Sequence, residues 1–513
     1  MTSIAFIGFM GAGKSTAARA AADALGEDPV DADEELEREL GESIASFFER
    51  EGEGAFRDRE QRLVVELLER GGVISLGGGA VESEPVRNAL RGHVGVWCRV
   101  EEHVAWERSR DTGRPLAADR DEFGRRFAER ELLYEQTARA VLPEGGAEVG
   151  RAAAPWLGAL RAHPELWMAW ARSRSGAYPA IVGPGATELL GAPEVAGALG
   201  VARWFAIADA AALREQRDLL PPSEAVIEVE AAEERKTLAE AERVLRELAG
   251  AGARRDDGVI AFGGGVVGDL GGFCAASYQR GVALVHVPTT LVAQVDSAYG
   301  GKTGVDLPEA KNYVGAYHLP AAVLADPRAL ATLPQAELAA GFVEVVKTAL
   351  IAGRELWERV GALDTLDPAA LTDVVFACAR TKIDVVAGDE RDRGGRAALN
   401  LGHTVGHAIE AASGYGRYRH GEAVGLGLLA ALRMSDADDL RESVRAMLDR
   451  HGLPTALEPG IATDEVLAVV ELDKKRTADG LGFVLVERPG EITVGARVDA
   501  DAVRAAVDEL REG

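Results

Sequence analysis

Two short stretches carry residue types that could do chemistry. The first runs Gly8-Phe9-Met10-Gly11-Ala12-Gly13-Lys14-Ser15, follows an apolar run and opens a helix-like stretch. It fits GxxxxGK[ST] in full and meets both context requirements of a P-loop. Glycines let backbone N–H groups converge on phosphate oxygens, and the helix N-terminus adds its dipole. Lys14 would reach the β and γ phosphates, and Ser15 would ligate Mg²⁺. The second stretch, LGHTVGHAIE at 401–410, sets His403 and His407 four apart in a helical pattern. Catalytic zinc takes three N or O ligands and keeps one position open. HTVGH lacks the glutamate of HExxH. Two ligand sets therefore stand: the helical pair, or His403 with His420 of RHGEAV and Glu344 of GFVEVVK. Spacing alone does not choose between them.

Further residues suit anionic substrates. Asp31 and Asp33 in VDADEE follow a strand-like turn, where one carboxylate can serve a metal and another can accept a hydroxyl proton. Arg57 in GEGAFRDRE and Arg130 in ERELLYE are suited to forking a carboxylate. AFGGGVVGDLGGF follows a strand pattern and admits close backbone approach to a pyrophosphate, although it is not GxGxxG. In PTTLVAQVDSAYGGKTGVDLPEAKN, Lys302 and Lys311 stand in glycine-rich surroundings beside Asp296 and Asn312. Such lysines in an acidic chain read as a phosphate or pyrophosphate site.

The elements that must position these residues follow from length and pattern. At 513 residues the chain predicts about three domains. Acidic residues number 83 against 57 basic, a formal charge of -26, which disfavours nucleic acid and anionic membranes as partners. The three cysteines, Cys98, Cys274 and Cys378, lie far apart, which suits a reducing cytoplasm. No signal peptide and no apolar run of ~18 residues is visible, so a soluble cytoplasmic protein is expected. Residues 1–142 alternate apolar strands with amphipathic helices, and 143–176, rich in Ala, Gly and Pro, reads as a linker with room for a short helix. A second α/β block spans 177–323, and helical periodicity dominates 324–513. Internal repeats are absent.

In this order, VDADEE, FRDRE, SLGGGA, TGRPL and ERELLYE resemble shikimate kinase across residues 2 to 142. The resemblance implies ATP and phosphate binding by Gly11, Ala12, Gly13, Lys14, Ser15, Thr16, Arg108 and Arg114. It sets Mg²⁺ against Ser15 and Asp31. It places shikimate among Asp33, Arg57, Gly77, Gly78, Gly79 and Arg130, with Lys14, Asp33 and the lid residue Arg114 catalytic. The lid between Arg108 and Arg114 is one residue shorter than usual, and the adenine-side loop after Val141 runs early into the linker. A kinase of another small molecule, of gluconate kinase type, and a degenerate nucleotide sensor are the alternatives. The FRDRE and ER…LYE pair opposes the first, and the intact constellation opposes the second.

From about Tyr178 onward GGGVVGD, PTTLVAQVDSAYGGKTG, KNYVGAYH, GFVEVVK, NLGHTVGHAIE, HGEAV and DKK resemble 3-dehydroquinate synthase. The resemblance implies a Rossmann-like NAD-binding α/β domain followed by a mainly helical metal-binding domain, behind the P-loop kinase domain of parallel sheet and flanking helices. It assigns Zn²⁺ or Co²⁺ to Glu344, His403 and His420, and turns His407 to the substrate. NAD contacts fall on Asp209, Glu233, Lys236, Gly264, Gly265, Val266, Val267, Asp269, Thr289, Thr290, Lys311 and Thr332. The heptulosonate phosphate falls to Arg280, Asp296, Lys302, Asn312, Lys382, Lys474 and Lys475. Lys302, His407, Lys347, Arg396 and Asn400 are the expected catalytic residues. Ala211 stands where the family shows asparagine, removing one hydrogen bond near the adenosine. A homodimer through the synthase part is implied. A cyclase acting on sedoheptulose 7-phosphate and a glycerol-type dehydrogenase are the alternatives; carboxylate-binding residues oppose the first, and net NADH would mark the second.

Overall fold

The computed structural model describes residues 1–110, 119–391, 394–414, 416–476 and 482–512, without the side chains of 472–476 and 512. Two compact units emerge: residues 1–172 with 177–201, and residues 202–513 with 173–176.

In the first unit the strands are β1 (Ile4–Ile7), β2 (Pro29–Asp31), β3 (Val73–Ser75), β4 (Val94–Cys98), β5 (Ala140–Leu142), β6 (Trp167–Arg172) and β7 (Ala177–Val182). Their order is β2-β3-β1-β4-β5-β6-β7. β1 pairs in parallel with β3 (Ala5↔Ile74) and with β4 (Phe6↔Val96). IAFI is buried along its whole length, as a strand covered on both faces requires. The carboxyl ends of these strands carry the phosphate loop after Ile7, Asp31 at the end of β2 and Gly77–Gly79 after β3. Ligands of open parallel sheets bind at that end.

The stretch expected as a linker is a correction. Residues Gly146–Leu160 form a helix and Trp167–Arg172 the strand β6. Val149, Ala153, Trp156, Leu157 and Leu160 recur at helical spacing and are all buried. The helix lies so close to helix Lys14–Leu25 that a Cβ at Gly150 would collide with the Ala17 carbonyl oxygen. β6 pairs in parallel with β5 (Ala140↔Met168) and antiparallel with β7 (Trp167↔Val182). The expected border at 177 moves too. AYPAIV, read as the first strand of the second block, pairs back onto β6, and the chain divides after Val201.

The second unit holds β8 (Trp204–Asp209), β9 (Ala225–Val229), β10 (Gly258–Gly263), β11 (Ala283–Pro288), β12 (Lys302–Leu307), β13 (Ala310–Tyr317) and β14 (Ala322–Ala325). A parallel sheet runs β14-β11-β10-β8-β9, and β12 with β13 forms an antiparallel hairpin. The helix Gly265–Ser277 follows β10 and packs Val267, Leu270 and Cys274 into the core beneath the sheet. Beyond β14 helices take over, among them Gln335–Ala352, Pro368–Gly388, His403–Ala412 and His420–Met434. Helix Gln335–Ala352 is buried almost all round from Leu338 to Leu350, so polar side chains on it face protein. Among the described residues no helix is long and apolar enough to cross a membrane.

Candidate active sites

In the first unit Gly11 and Gly13 adopt φ of 80° and 81°, the left-handed region that glycine enters without strain. Gly13 then caps helix Lys14–Leu25. Lys14 Nζ donates to the Phe9 carbonyl at 3.1 Å, holding the ammonium over its own loop. The Ser15 and Ser75 hydroxyls are 3.1 Å apart. Arg108 donates to the Gly11 carbonyl at 3.2 Å and pairs with Glu144. Thr16 and Ala12 flank the helix start, while Arg114 lies outside the described residues.

The acceptor side is a charged cluster. Asp31 caps helix Ala32–Leu40, accepting from the Asp33 backbone at 3.1 Å, which puts both carboxylates at one helix N-terminus. Arg57 Nη1 meets Glu60 Oε2 at 2.6 Å. Arg130 Nε donates to Glu82 Oε1 at 2.9 Å. The glycine triplet is explained by crowding. A Cβ on Gly77 would press on Glu60 and Asp33, and one on Gly79 would strike the Arg57 guanidinium. Tyr134 donates to the Gly78 carbonyl at 2.5 Å and fixes the loop from the other side. Burial raises the Glu60 carboxyl against the pull of Arg57. Glu60 and Glu82 are the functional candidates that sequence reasoning missed. The only signal for Glu60 is its i, i+3 position to Arg57 on a helix face.

In the second unit a cavity of 650 Å³ is lined by Asp296, Lys302, Asn312, Lys347, Lys382, Arg396, Asn400 and His403, together with Asp269, Tyr313 and Tyr317. Asp296 sits on a π-helical turn, Ala293–Ser297, and accepts from Lys382 at 2.7 Å and Lys347 at 3.3 Å. Burial disfavours its charge, but the two ammoniums outweigh that and hold the carboxyl far below its ordinary range. Lys347 also reaches Glu344 Oε2 at 2.5 Å, one turn back on the same helix. Burial opposes its charge as well, and Asp296 and Glu344 raise it. Lys382 goes the other way: burial, helped by Lys347, lowers it despite Asp296.

Glu344 Oε1 lies 3.6 Å from His403 Nε2 and 3.8 Å from His420 Nε2. His403, His407 and His420 offer ring nitrogens within 4.8 Å of one another. The structure thus brings all four candidates of both ligand sets together. Two observations fit a divalent ion. Glu344 Oε1 is buried without a hydrogen-bond partner among the described residues. Burial and Lys347 lower His403 to about 4, so it is neutral and able to ligate at neutral pH. A carboxylate with imidazoles suits Zn²⁺ or Co²⁺. Behind His420, Glu410 Oε2 accepts from Nδ1 at 3.3 Å, a contact not legible from spacing.

The residues expected at NAD form a second group. Lys236 is the hub, meeting Glu233 and Asp269 at 3.2 Å and Asn312 Oδ1 at 2.9 Å. Lys311 stands 3.7 Å from Glu233. Burial raises Asp269 to about 6 even beside Lys236. Asp209 caps the next helix, its carboxylate accepting from the Ala211 backbone at 2.9 Å. The Thr289 backbone N–H donates to Gly263, and Gly264 faces Thr290 so closely that a Cβ would crowd its methyl group. Val266 continues the same helix, whereas the Val267 side chain is in the core, so only its backbone is available. Thr332 accepts from Gln216. Arg280 does not line the cavity, and the side chains of Lys474 and Lys475 lie outside the described residues.

A strand–glycine–helix unit suited to NAD beside a cluster of imidazoles and a buried acid is the arrangement of an NAD- and metal-dependent enzyme, preceded by a P-loop kinase. The family models for the 3-dehydroquinate synthase N-terminal and C-terminal domains match residues 226–340 and 341–476, and that for shikimate kinase matches 10–157. A 3-dehydroquinate synthase from Symbiobacterium thermophilum is 43% identical over 355 residues, 65% of this chain and 98% of the relative. Among solved structures, a 2-deoxy-scyllo-inosose synthase with carbaglucose-6-phosphate, NAD⁺ and Co²⁺ is 25% identical, with a TM-score of 0.57 over 67% of this chain and 99% of its own. A 2-epi-5-epi-valiolone synthase from Streptomyces hygroscopicus subsp. jinggangensis with NAD⁺ and Zn²⁺ is 26% identical, with a TM-score of 0.58 over 65% of this chain and 96% of its own. The chain belongs to the 3-dehydroquinate synthase family and carries a shikimate kinase domain in front of it.

Proposed function

We propose that the front site transfers the γ-phosphoryl group of ATP to shikimate, and that the rear site converts 3-deoxy-arabino-heptulosonate 7-phosphate to 3-dehydroquinate and phosphate. The observation that carries the rear assignment is the chain Lys382–Asp296–Lys347–Glu344–His403, half-buried at its ends and buried at Lys347 and Glu344, which runs from cavity to imidazole cluster.

In front, Lys14 and Arg108 with Arg114 would steady the phosphates, and Ser15 with Asp31 would hold Mg²⁺. Asp33 would take the proton of the attacking hydroxyl. Arg57 and Arg130 would fork the acceptor's carboxylate, with the Gly77–Gly79 backbone under the ring. In the rear, Glu344, His403 and His420 would hold Zn²⁺ or Co²⁺, with the glycine turn at Gly264–Gly265 and Lys236 toward NAD. When bound, NAD⁺ supplies a reversible hydride acceptor and the ion supplies Lewis acidity. Lys302, Asn312, Lys382, Arg396 and Asn400 ring the cavity and would bind the substrate's carboxylate and phosphate. His407, one turn along from His403, is placed to hold or pass a proton at the substrate. A cytoplasmic homodimer through the synthase part completes the reading; the three buried free cysteines suit a reducing compartment, and light scattering of the full chain tests the dimer.

A pair of full-length variants tests both sites. Asp33→Ala should abolish shikimate-dependent ADP formation and spare phosphate release from the heptulosonate phosphate without net NADH. Glu344→Ala should do the reverse and release its metal. Full kinase turnover in the first, or tight metal and full synthase rate in the second, refutes the respective assignment.

A further inference from the structure

The acceptor side of the front site holds one carboxylate more than its chemistry needs. Glu82 stands three residues beyond Gly79, at the end of the short helix Ala80–Glu82. Its Oε1 takes the Arg130 Nε proton at 2.9 Å, and its Oε2 is 3.5 Å from Arg57 Nη2. One side-chain carboxylate therefore spans the two guanidiniums assigned to the acceptor's carboxylate. Arg130 is 2% exposed at the side chain, and its Nη2 is buried with no partner among the described residues. A buried donor without an acceptor is costly and points to a ligand oxygen.

We propose that Glu82 is a built-in rival for the acceptor's carboxylate and sets how tightly the site takes an anionic acceptor. The proposal rests on the reading that Arg57 and Arg130 bind that carboxylate. Apart from Glu82, Arg57 meets Glu60 at 2.6 Å and Glu53 at 3.4 Å. With Glu82, three acids meet two guanidiniums before any acceptor arrives. Glu60 cannot yield, being 7% exposed and locked to Arg57 at 2.6 Å. Glu82 is 38% exposed and can turn to solvent. An entering carboxylate takes the open Arg130 Nη2 and replaces Glu82 at Arg57. In the free enzyme Glu82 keeps a buried cation compensated, and it yields this place when the acceptor binds.

The test is Glu82→Gln in the full chain, which keeps the shape and an acceptor oxygen for Arg130 while removing the charge. KM for shikimate should fall about two- to fivefold, the range of a partly exposed ion pair. The kcat should stay within about twofold. Shikimate methyl ester, lacking the anion, should show no such fall. A raised KM, or a reduced kcat at unchanged KM, would make Glu82 a positioning residue for Arg130 and overturn the proposal. Equal falls for acid and ester would overturn it as well. Glu82→Ser repeats the comparison should the glutamine variant unfold, with ATP affinity and synthase rate as controls for folding. Failure of the wild-type chain to turn over shikimate would refute the site reading and the proposal with it; normal wild-type turnover with no KM change in both variants refutes the proposal alone.

Discussion

Lys347 is the residue on which the rear site's electrostatics turn. It is 2% exposed and neutralises two acids, Asp296 and Glu344, that burial would otherwise keep from ionising. Lys347→Met leaves Glu344 buried beside neutral His403, and breaking a buried pair costs about 3–5 kcal/mol. Urea unfolding of the full chain should show that loss in the transition that also abolishes synthase turnover; an unchanged midpoint would mean the pair is not buried in solution. Glu410 acts one step further out. Its bond to His420 Nδ1 orients the ring, and losing such outer partners weakens metal binding about 10- to 100-fold. Glu410→Gln should show this in chelator competition, with chain stability little changed. Much at this scale was legible: Glu344 and Lys347 stand i, i+3 in VEVVK, and glycine triplets flag close approach. Glu60, Glu82 and Glu410 were not. In a chain with 83 acids a carboxylate is distinguished only by the partner the fold gives it, and Glu82 meets Arg130 across 48 residues of sequence.

At the scale of elements, helix Gly146–Leu160 shows how composition misleads. Ala, Gly and Pro suggested a linker, yet small residues are what let two helices approach to backbone contact. The periodic signal was present in Val149, Ala153, Trp156, Leu157 and Leu160 and was diluted by four glycines and six alanines between 145 and 162. Gly150→Val forces a methyl group into the Ala17 carbonyl and should cost about 1–3 kcal/mol. Ala17 follows Lys14 and Ser15 on the same helix, so the loss reaches the phosphate loop. Thermal unfolding should show an earlier transition accompanied by weaker ATP binding, while synthase turnover persists at lower temperatures. Unaltered ATP affinity and melting would remove this helix from the kinase unit. A chain ending at 142 lacks the same support and should fold poorly for the same reason. The parallel strands, by contrast, were readable because runs such as IAFI have no polar face to hide.

Across the whole molecule, positive charge is divided by type. Of 57 basic residues only eight are lysines, Lys14, Lys236, Lys302, Lys311, Lys347, Lys382, Lys474 and Lys475, and every one belongs to the expected sites. The exposed faces use arginine, much of it paired with acids one helical turn away, as Arg243 with Glu247 and Arg246 with Glu242. The planar guanidinium makes durable forked pairs, whereas the compact ammonium fits where three donors must converge on one small group. Lys236 and Lys347, each buried among several acceptors, are such positions. The consequence is chemical. An amine-selective acylating reagent has no bystander lysines to consume it. Lys302 and Lys311 are exposed, while Lys236 and Lys347 are buried, so the first two should react before the others. Each acylation replaces an ammonium by a neutral amide, at the cavity for Lys302 and beside Glu233 for Lys311. Synthase turnover should therefore fall in step with modification of Lys302 and Lys311, followed by peptide mass spectrometry, and saturating NAD⁺ with inorganic phosphate should slow both. Full synthase activity with these two lysines quantitatively acylated would show that these exposed ammoniums do not bind substrate, and the anion-binding assignment of the hairpin would have to be abandoned.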